Sequence, residues 1–194
     1  LQKQQFHGEL VITLDGPGRL TLINTIPLEQ YLESVISSEM SPRSPEDFLK
    51  AHCIISRSWL LAQIRKKHSA SELCTGVEAR GWTDAAAHRQ FDVCADDHCQ
   101  RYHGVGRINQ AARQSLAATR GEVLVFGGEV CDTRFSKCCG GISENFATAW
   151  EDREVPYLRP VADCPPHVRE FVPPVAQEKT AARFISAAPQ AYCN

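Results

Sequence analysis

IPLEQYLESVISSEMSPRSPEDFLKAHCIISRSWLLAQ (residues 26–63) carries two successive helical signals divided by a proline. From Pro27 the apolar residues Leu28, Tyr31, Leu32, Val35 and Ile36 fall at i, i+3, i+4, i+7 and i+8, one face of a helix that starts with proline in its first turn. Pro42 stops it. A longer helix follows over roughly residues 45–67. Ser44 is its N-cap, and Asp47 puts a carboxylate at the positive end of its dipole. Phe48, Leu49, Ala51, Cys53, Ile54, Ile55, Trp59, Leu60, Leu61, Ala62 and Ile64 occupy nearly all of its circumference, which predicts a helix running through the core.

On the N-terminal side, GELVITLDGPGRLTLIN alternates apolar and polar residues around Asp15-Gly16-Pro17-Gly18, a hairpin pattern. On the C-terminal side, residues 69–115 show no sustained period but a dense group of Cys, His and Asp, so a long functional loop with little regular structure is expected. Residues 122–126 and 130–136 read as a second hairpin around Gly127-Gly128. After Asp163 the chain turns Pro- and Ala-rich. The expectation is an α+β fold: two core helices packed on short antiparallel strands, a catalytic domain over 1–164, and an extension or linker over 165–194.

Lys and Arg total 21 against 23 for Asp and Glu, so no net basic charge favours a phosphate backbone, and nucleic acid is not an expected partner. No run approaches the ~20 apolar residues that span a bilayer. The opening LQKQQFHGEL has no signal-peptide pattern, and the chain lacks an initiator Met, so it reads as the body of an exported protein whose leader has been removed. Nine cysteines are many for a cytosolic enzyme but odd in number and scattered, which leaves metal binding beside disulfides.

Two charged residues break the helical pattern. Glu39, eleven residues after Leu28, returns to within about 20° of the apolar stripe. A carboxyl sheltered from water holds its proton more tightly and can donate it to a leaving oxygen, whereas a frayed helix end would leave Glu39 solvated. Arg57 sits among Cys53, Ile54, Leu60 and Leu61. It needs a structural carboxylate, a route to solvent, or a place in the same pocket as Glu39.

These residues resemble the stage II sporulation protein D (SpoIID)/LytB domain family: a Pro-Leu-Glu-x-Tyr-Leu helix, a Ser-Glu-Met segment, and a helix with Leu-Lys-Ala followed by an Arg. HCQRY (98–102), TRGEVL (119–124), FSKCCGGISEN (135–145), Trp150 and VPYLRPVAD (155–163) continue the resemblance over residues 8–163. It implies lytic transglycosylation of peptidoglycan, preferably of strands stripped of stem peptides, in the bacterial cell envelope. Glu39 matches the family's essential acid and Arg57 its helical arginine, and both are expected to be catalytic residues flooring the active cleft. One carboxyl suffices for that chemistry, because the 6-hydroxyl of N-acetylmuramic acid attacks its own anomeric carbon and leaves a 1,6-anhydro end; hydrolytic glycosidases need two. The resemblance also allows a different class, a non-catalytic glycan-binding activator of a cell-wall amidase.

His88, Cys94, His98 and Cys99 supply the Cys2His2 set that closes a tetrahedral zinc site, with His103 and Asp96 as spare ligands. Some members of the resembled family carry zinc in this loop. Four protein ligands leave no open position, so the role would be structural, and a zinc hydrolase is disfavoured further by the lack of an HExxH motif. A Cys94–Cys99 disulfide is the alternative. Cys138-Cys139-Gly140-Gly141 follows a strand, and paired glycines let a backbone approach a ligand, so Ser136, Gly140 and Gly141 are candidate glycan contacts. The resembled family commonly has small hydroxyl residues where this chain has Cys138 and Cys139, for which Cys131 or Cys164 are possible partners. Of the aromatics, Tyr102 is assigned to the cleft because it adjoins the Cys/His loop, Trp150 and Tyr157 either stack on sugar or fill the core, and Trp59 is core.

Overall fold

The computed structural model describes residues 3–14, 16–70, 88 and 90–193. Asp15 of the first turn and Cys74 lie outside the described residues. The fold is α+β, with the helices and two small antiparallel hairpins falling into two compact units, 3–133 and 134–193 among the described residues. Residues 165–193 therefore group with 134–164.

In the first unit, β1 (Glu9–Leu14) and β2 (Leu20–Thr25) pair antiparallel from Glu9↔Thr25 to Leu14↔Leu20. Gly16 and Gly18 take the positive φ that the intervening turn requires. Helix α1 (Leu28–Glu39) starts with Tyr31 N–H bonded to the Pro27 carbonyl and ends where Met40 turns extended. Leu32, Val35 and Ile36 are fully buried, as their spacing requires. Helix α2 (Glu46–Ala70) carries Cys53, Trp59, Leu60 and Ala62 into the same core.

The interior of α2 is also polar. His52, Ser56, Arg57, Ser58 and Gln63 are all buried, and side-chain bonds to later segments account for several of them. Ser58 Oγ accepts from Leu124 N–H at 2.9 Å, Gln63 Nε2 donates to Asp132 Oδ1 at 3.0 Å, and Thr133 Oγ1 donates to the Ile55 carbonyl at 2.7 Å. These contacts pin the short ribbon of β3 (Val125–Phe126) and β4 (Glu129–Val130) to the helix. The expected strands over 122–126 and 130–136 shorten to these two-residue pieces: on the first arm Leu124 N–H and the Glu122 carbonyl bond side chains of α2.

The expectation of little regular structure through residue 115 is corrected by α3 (Gln110–Ala118). Asn109 caps it, accepting from Ala112 N–H, and Ala112, Ser115 and Leu116 are its buried face. In the second unit a single bridge, Ile142↔Ala162, joins the glycine turn to the 155–163 segment. Helix α4 (Phe146–Ala149) follows the turn, and α5 (Glu178–Ala187) occupies the Ala-rich tail. Phe146, Val155, Cys164, Phe171 and Ala191 are buried apolar residues of this unit, with the Arg134 guanidinium over the Trp150 ring.

His52 gives the first unit a pH dependence. Burial pushes its imidazole down from 6.5 to about 4. An unfolded chain takes up that proton first, so the stability is fully present above pH 6.5 and is lost as pH falls toward 4. The loss expected from this group is roughly 3 kcal/mol. Urea unfolding at pH 7 and pH 4.5 should show it, and His52→Gln should flatten the dependence; equal slopes in both proteins would contradict the assignment.

Candidate functional site

Glu39 is the last residue of α1, and the fold brings it against the Cys/His loop. Three backbone N–H groups of one loop are received by three side chains of this helix. Arg101 N–H donates to Glu39 Oε1 at 2.9 Å, His103 N–H to Ser34 Oγ at 3.2 Å, and Asn109 N–H to Ser37 Oγ at 3.2 Å. Ser34 and Glu39 therefore work as acceptors for a segment that would otherwise leave N–H groups unpaired. Glu39 is half-buried: it borders the core instead of entering it.

Arg101 itself is held from the other side, its guanidinium reaching both carboxylate oxygens of Asp97, with Nη2 to Oδ2 at 2.8 Å. Tyr31, one α1 position of the apolar stripe, packs beside the same group. Its phenol is raised well above the usual range, first by burial and then by Cys99, Cys94 and Glu39. Its hydroxyl is buried with no hydrogen-bond partner among the described residues. Tyr31 and the acceptor serines were not singled out from sequence. The spacing of Ser34, Ser37 and Glu39, polar residues interleaved with the buried stripe, was the available signal.

His88, Cys94, His98 and Cys99 come together as their spacing suggested, with donor atoms all within 4.8 Å of one another. Cys99 Sγ lies 3.5 Å from His88 Nε2 and 3.5 Å from His98 Nδ1, and Cys94 Sγ lies 3.8 Å from His98 Nδ1. A sulfur and a nitrogen sharing a tetrahedral zinc are about 3.5 Å apart, so the donor set fits such an ion. Burial, His98 and Lys67 keep His88 below the ordinary imidazole value, toward the neutral form that binds metal. The spare candidates serve the backbone: the Asp96 carbonyl accepts from Cys99 N–H, and neither Asp96 nor His103 joins the cluster.

Arg57 takes the structural partner that sequence left open. Its guanidinium, 2% exposed, binds Glu29 through two bonds, Nε to Oε1 at 2.8 Å and Nη2 to Oε2 at 2.9 Å, while Nη1 reaches the Glu122 carbonyl at 3.0 Å. It thereby ties the start of α1 to α2 and to the segment before β3. Its recorded bonds do not include Glu39.

Tyr102, expected to line a sugar-binding cleft, is buried in the first unit's core. Its ring is buried between Phe6, 6.0 Å away, and Tyr31, stacked at 5.3 Å, and its hydroxyl donates to Asn24 Oδ1. In the second unit Ser136 is exposed, and Gly140 has φ +67° with open space on its Cβ side. Gly141 has φ +104° and is buried, and a Cβ there would sit 3.4 Å from Ala191 Cβ, so its approach is to the chain's own tail. Among the described residues no two cysteines are joined by a disulfide. Cys138 and Cys139 lie against Cys193, with Cys131 and Cys164 buried elsewhere.

Residues 17–126 match the family model described as stage II sporulation protein, SpoIID. The chain is 31% identical over 154 residues to an uncharacterized protein of Brachyspira hyodysenteriae, a match covering 79% of this chain and 36% of that one. It is 24% identical over 139 residues to stage II sporulation protein D of Bacillus subtilis, covering 72% of this chain and 39% of the relative. The protein of the same name in Bacillus amyloliquefaciens matches at 24% over 140 residues, with the same coverage. The matched stretch thus spans less than two-fifths of these relatives' length. No helix among the described residues is long and apolar enough to cross a membrane.

Proposed function

Because the chain belongs to the SpoIID, stage II sporulation protein, family, we propose that it acts on the bacterial cell wall as a lytic transglycosylase of peptidoglycan glycan strands, with Glu39 as acid and base. The observation that carries this reading is the Glu39 carboxyl, half-buried at the exit of α1 and oriented by Arg101 N–H through Oε1. That bond leaves Oε2 to carry the proton.

In the first half of the reaction Oε2–H protonates the oxygen linking N-acetylmuramic acid C1 to N-acetylglucosamine, and the C1–O bond breaks. The 6-hydroxyl of the same muramic residue then bonds to C1 and passes its proton to Oε2. The carboxyl is restored, no water is consumed, and a 1,6-anhydro end results. Arg57 acts as a positioning residue, fixing the α1 start through Glu29. Ser136 and Gly140 are proposed glycan contacts of the second unit. Mass analysis of the ends released from stem-peptide-free strands tests the reaction: anhydro ends, lighter by one water than hydrolytic ends, are expected, and ordinary reducing ends would contradict it.

The ion proposed for His88, Cys94, His98 and Cys99 is zinc, held by four protein ligands and supplying cross-linking only. What it fixes is the loop that offers Arg101 N–H to Glu39. Removing it with a chelator is expected to lower cleavage about tenfold or more and to open the 94–101 loop to protease, with zinc restoring both. Unchanged cleavage in metal-free protein would contradict that role. Extracytoplasmic location and an amidase that strips stem peptides are proposed with the substrate. A glycan-holding activator of an amidase, the second reading, predicts binding of denuded strands with no new ends.

A further inference from the structure

We propose a second zinc site in the 134–193 unit, formed by Cys139, Asp163 and Cys193, independent of both the Cys/His loop and the glycan-cleaving reading. Cys139 Sγ, Asp163 Oδ2 and Cys193 Sγ lie within 4.8 Å of one another. Cys193 Sγ is 3.5 Å from Cys138 Sγ and 3.6 Å from Cys139 Sγ, and Cys139 Sγ is 3.1 Å from Asp163 Oδ2. Two thiolates on one tetrahedral zinc are about 3.8 Å apart, against the roughly 2.05 Å of a disulfide bond.

A bond from Cys193 to either neighbour would use two sulfurs and leave the third thiol and a carboxylate facing it. Two thiolates and one carboxylate around a divalent ion use all three donors, and the thiolates select zinc over calcium or magnesium. The backbone holds the donors in place before any ion arrives. Asp163 N–H donates to the Gly141 carbonyl at 2.8 Å, and Tyr192 N–H donates to the Asp163 carbonyl at 2.9 Å. The left-handed Gly140 and the Gly141 approach to Ala191 turn the paired cysteines toward the tail. Held by these three residues, the ion cross-links the glycine turn, the 163 segment and the tail.

Metal analysis of protein purified without a polyhistidine tag and without added reductant tests the proposal. Two zinc equivalents are expected, falling to one in Cys193→Ser and to one in the double variant Cys94→Ser/Cys99→Ser. After cobalt exchange, that double variant should still show thiolate-to-cobalt charge transfer, and adding Cys193→Ser should abolish it. A single equivalent that survives Cys94→Ser/Cys99→Ser but not Cys193→Ser would support this site while removing the first. The proposal is overturned if Cys193→Ser leaves the zinc content unchanged, or if the intact mass is two hydrogens short with Cys193 disulfide-linked to Cys138 or Cys139.

Discussion

Glu39→Gln is expected to lower glycan cleavage by about 10²–10⁴-fold, the usual contribution of a positioned proton-transfer group, without loosening the fold. In the proposed reaction two jobs fall to Glu39, and this substitution separates them. Glutamine keeps a carbonyl oxygen to accept Arg101 N–H, so the bond observed at 2.9 Å survives. It cannot give or take the proton. Glu39→Ala removes both jobs and should also loosen the 101–109 loop, lowering the thermal midpoint. If the carboxylate were only a tether for the loop, Glu39→Gln would cleave nearly as fast as the wild type. Turnover of denuded strands and thermal unfolding, measured on both variants, distinguish the two roles.

Glu29→Gln is expected to destabilise the first unit by roughly 3–5 kcal/mol, the cost of leaving a buried charge without its partner. Arg57 is 2% exposed and Glu29 32%, so the penalty is asymmetric. Removing the carboxylate strands a guanidinium that water cannot reach, whereas removing the arginine leaves a carboxylate that water can partly solvate. Arg57→Met should therefore cost less than Glu29→Gln, and the double variant should recover much of the loss. Denaturant unfolding of the three proteins measures the coupling; additive losses would show that the pair does not act as a unit.

The first two helices were legible because their apolar residues recur with the helical period and prolines mark their limits. Helix α3 was not, since its buried face is only Ala112, Ser115 and Leu116, and small and polar residues give a weak periodic signal. Asn109 and the Ala-rich run after it were the cues. The Cys/His cluster could be read because its ligands lie within twelve residues, so chain connectivity alone keeps them near one another.

Contacts made across long stretches of chain were the ones that could not be read. Arg57 needed a carboxylate, but nothing local showed that Glu29 of α1 turns toward α2. Tyr102 neighbours the Cys/His loop in sequence, yet Phe6 and Tyr31 enclose it from far along the chain. Cys193 stands 54 residues from Cys139, beyond any spacing argument. Glu39 falls between these cases: its spacing put it near the apolar stripe, while its acceptor role depends on a loop that begins 62 residues later.

The central claim is that the Glu39 carboxyl delivers the proton that breaks the glycan. Its most direct measurement is a crystal structure of Glu39→Gln soaked with a stem-peptide-free glycan oligomer. The account predicts a glycosidic oxygen about 3 Å from the residue 39 side chain, on the oxygen or nitrogen not engaged by Arg101 N–H. An oligomer bound with every linkage out of reach of that side chain would contradict it.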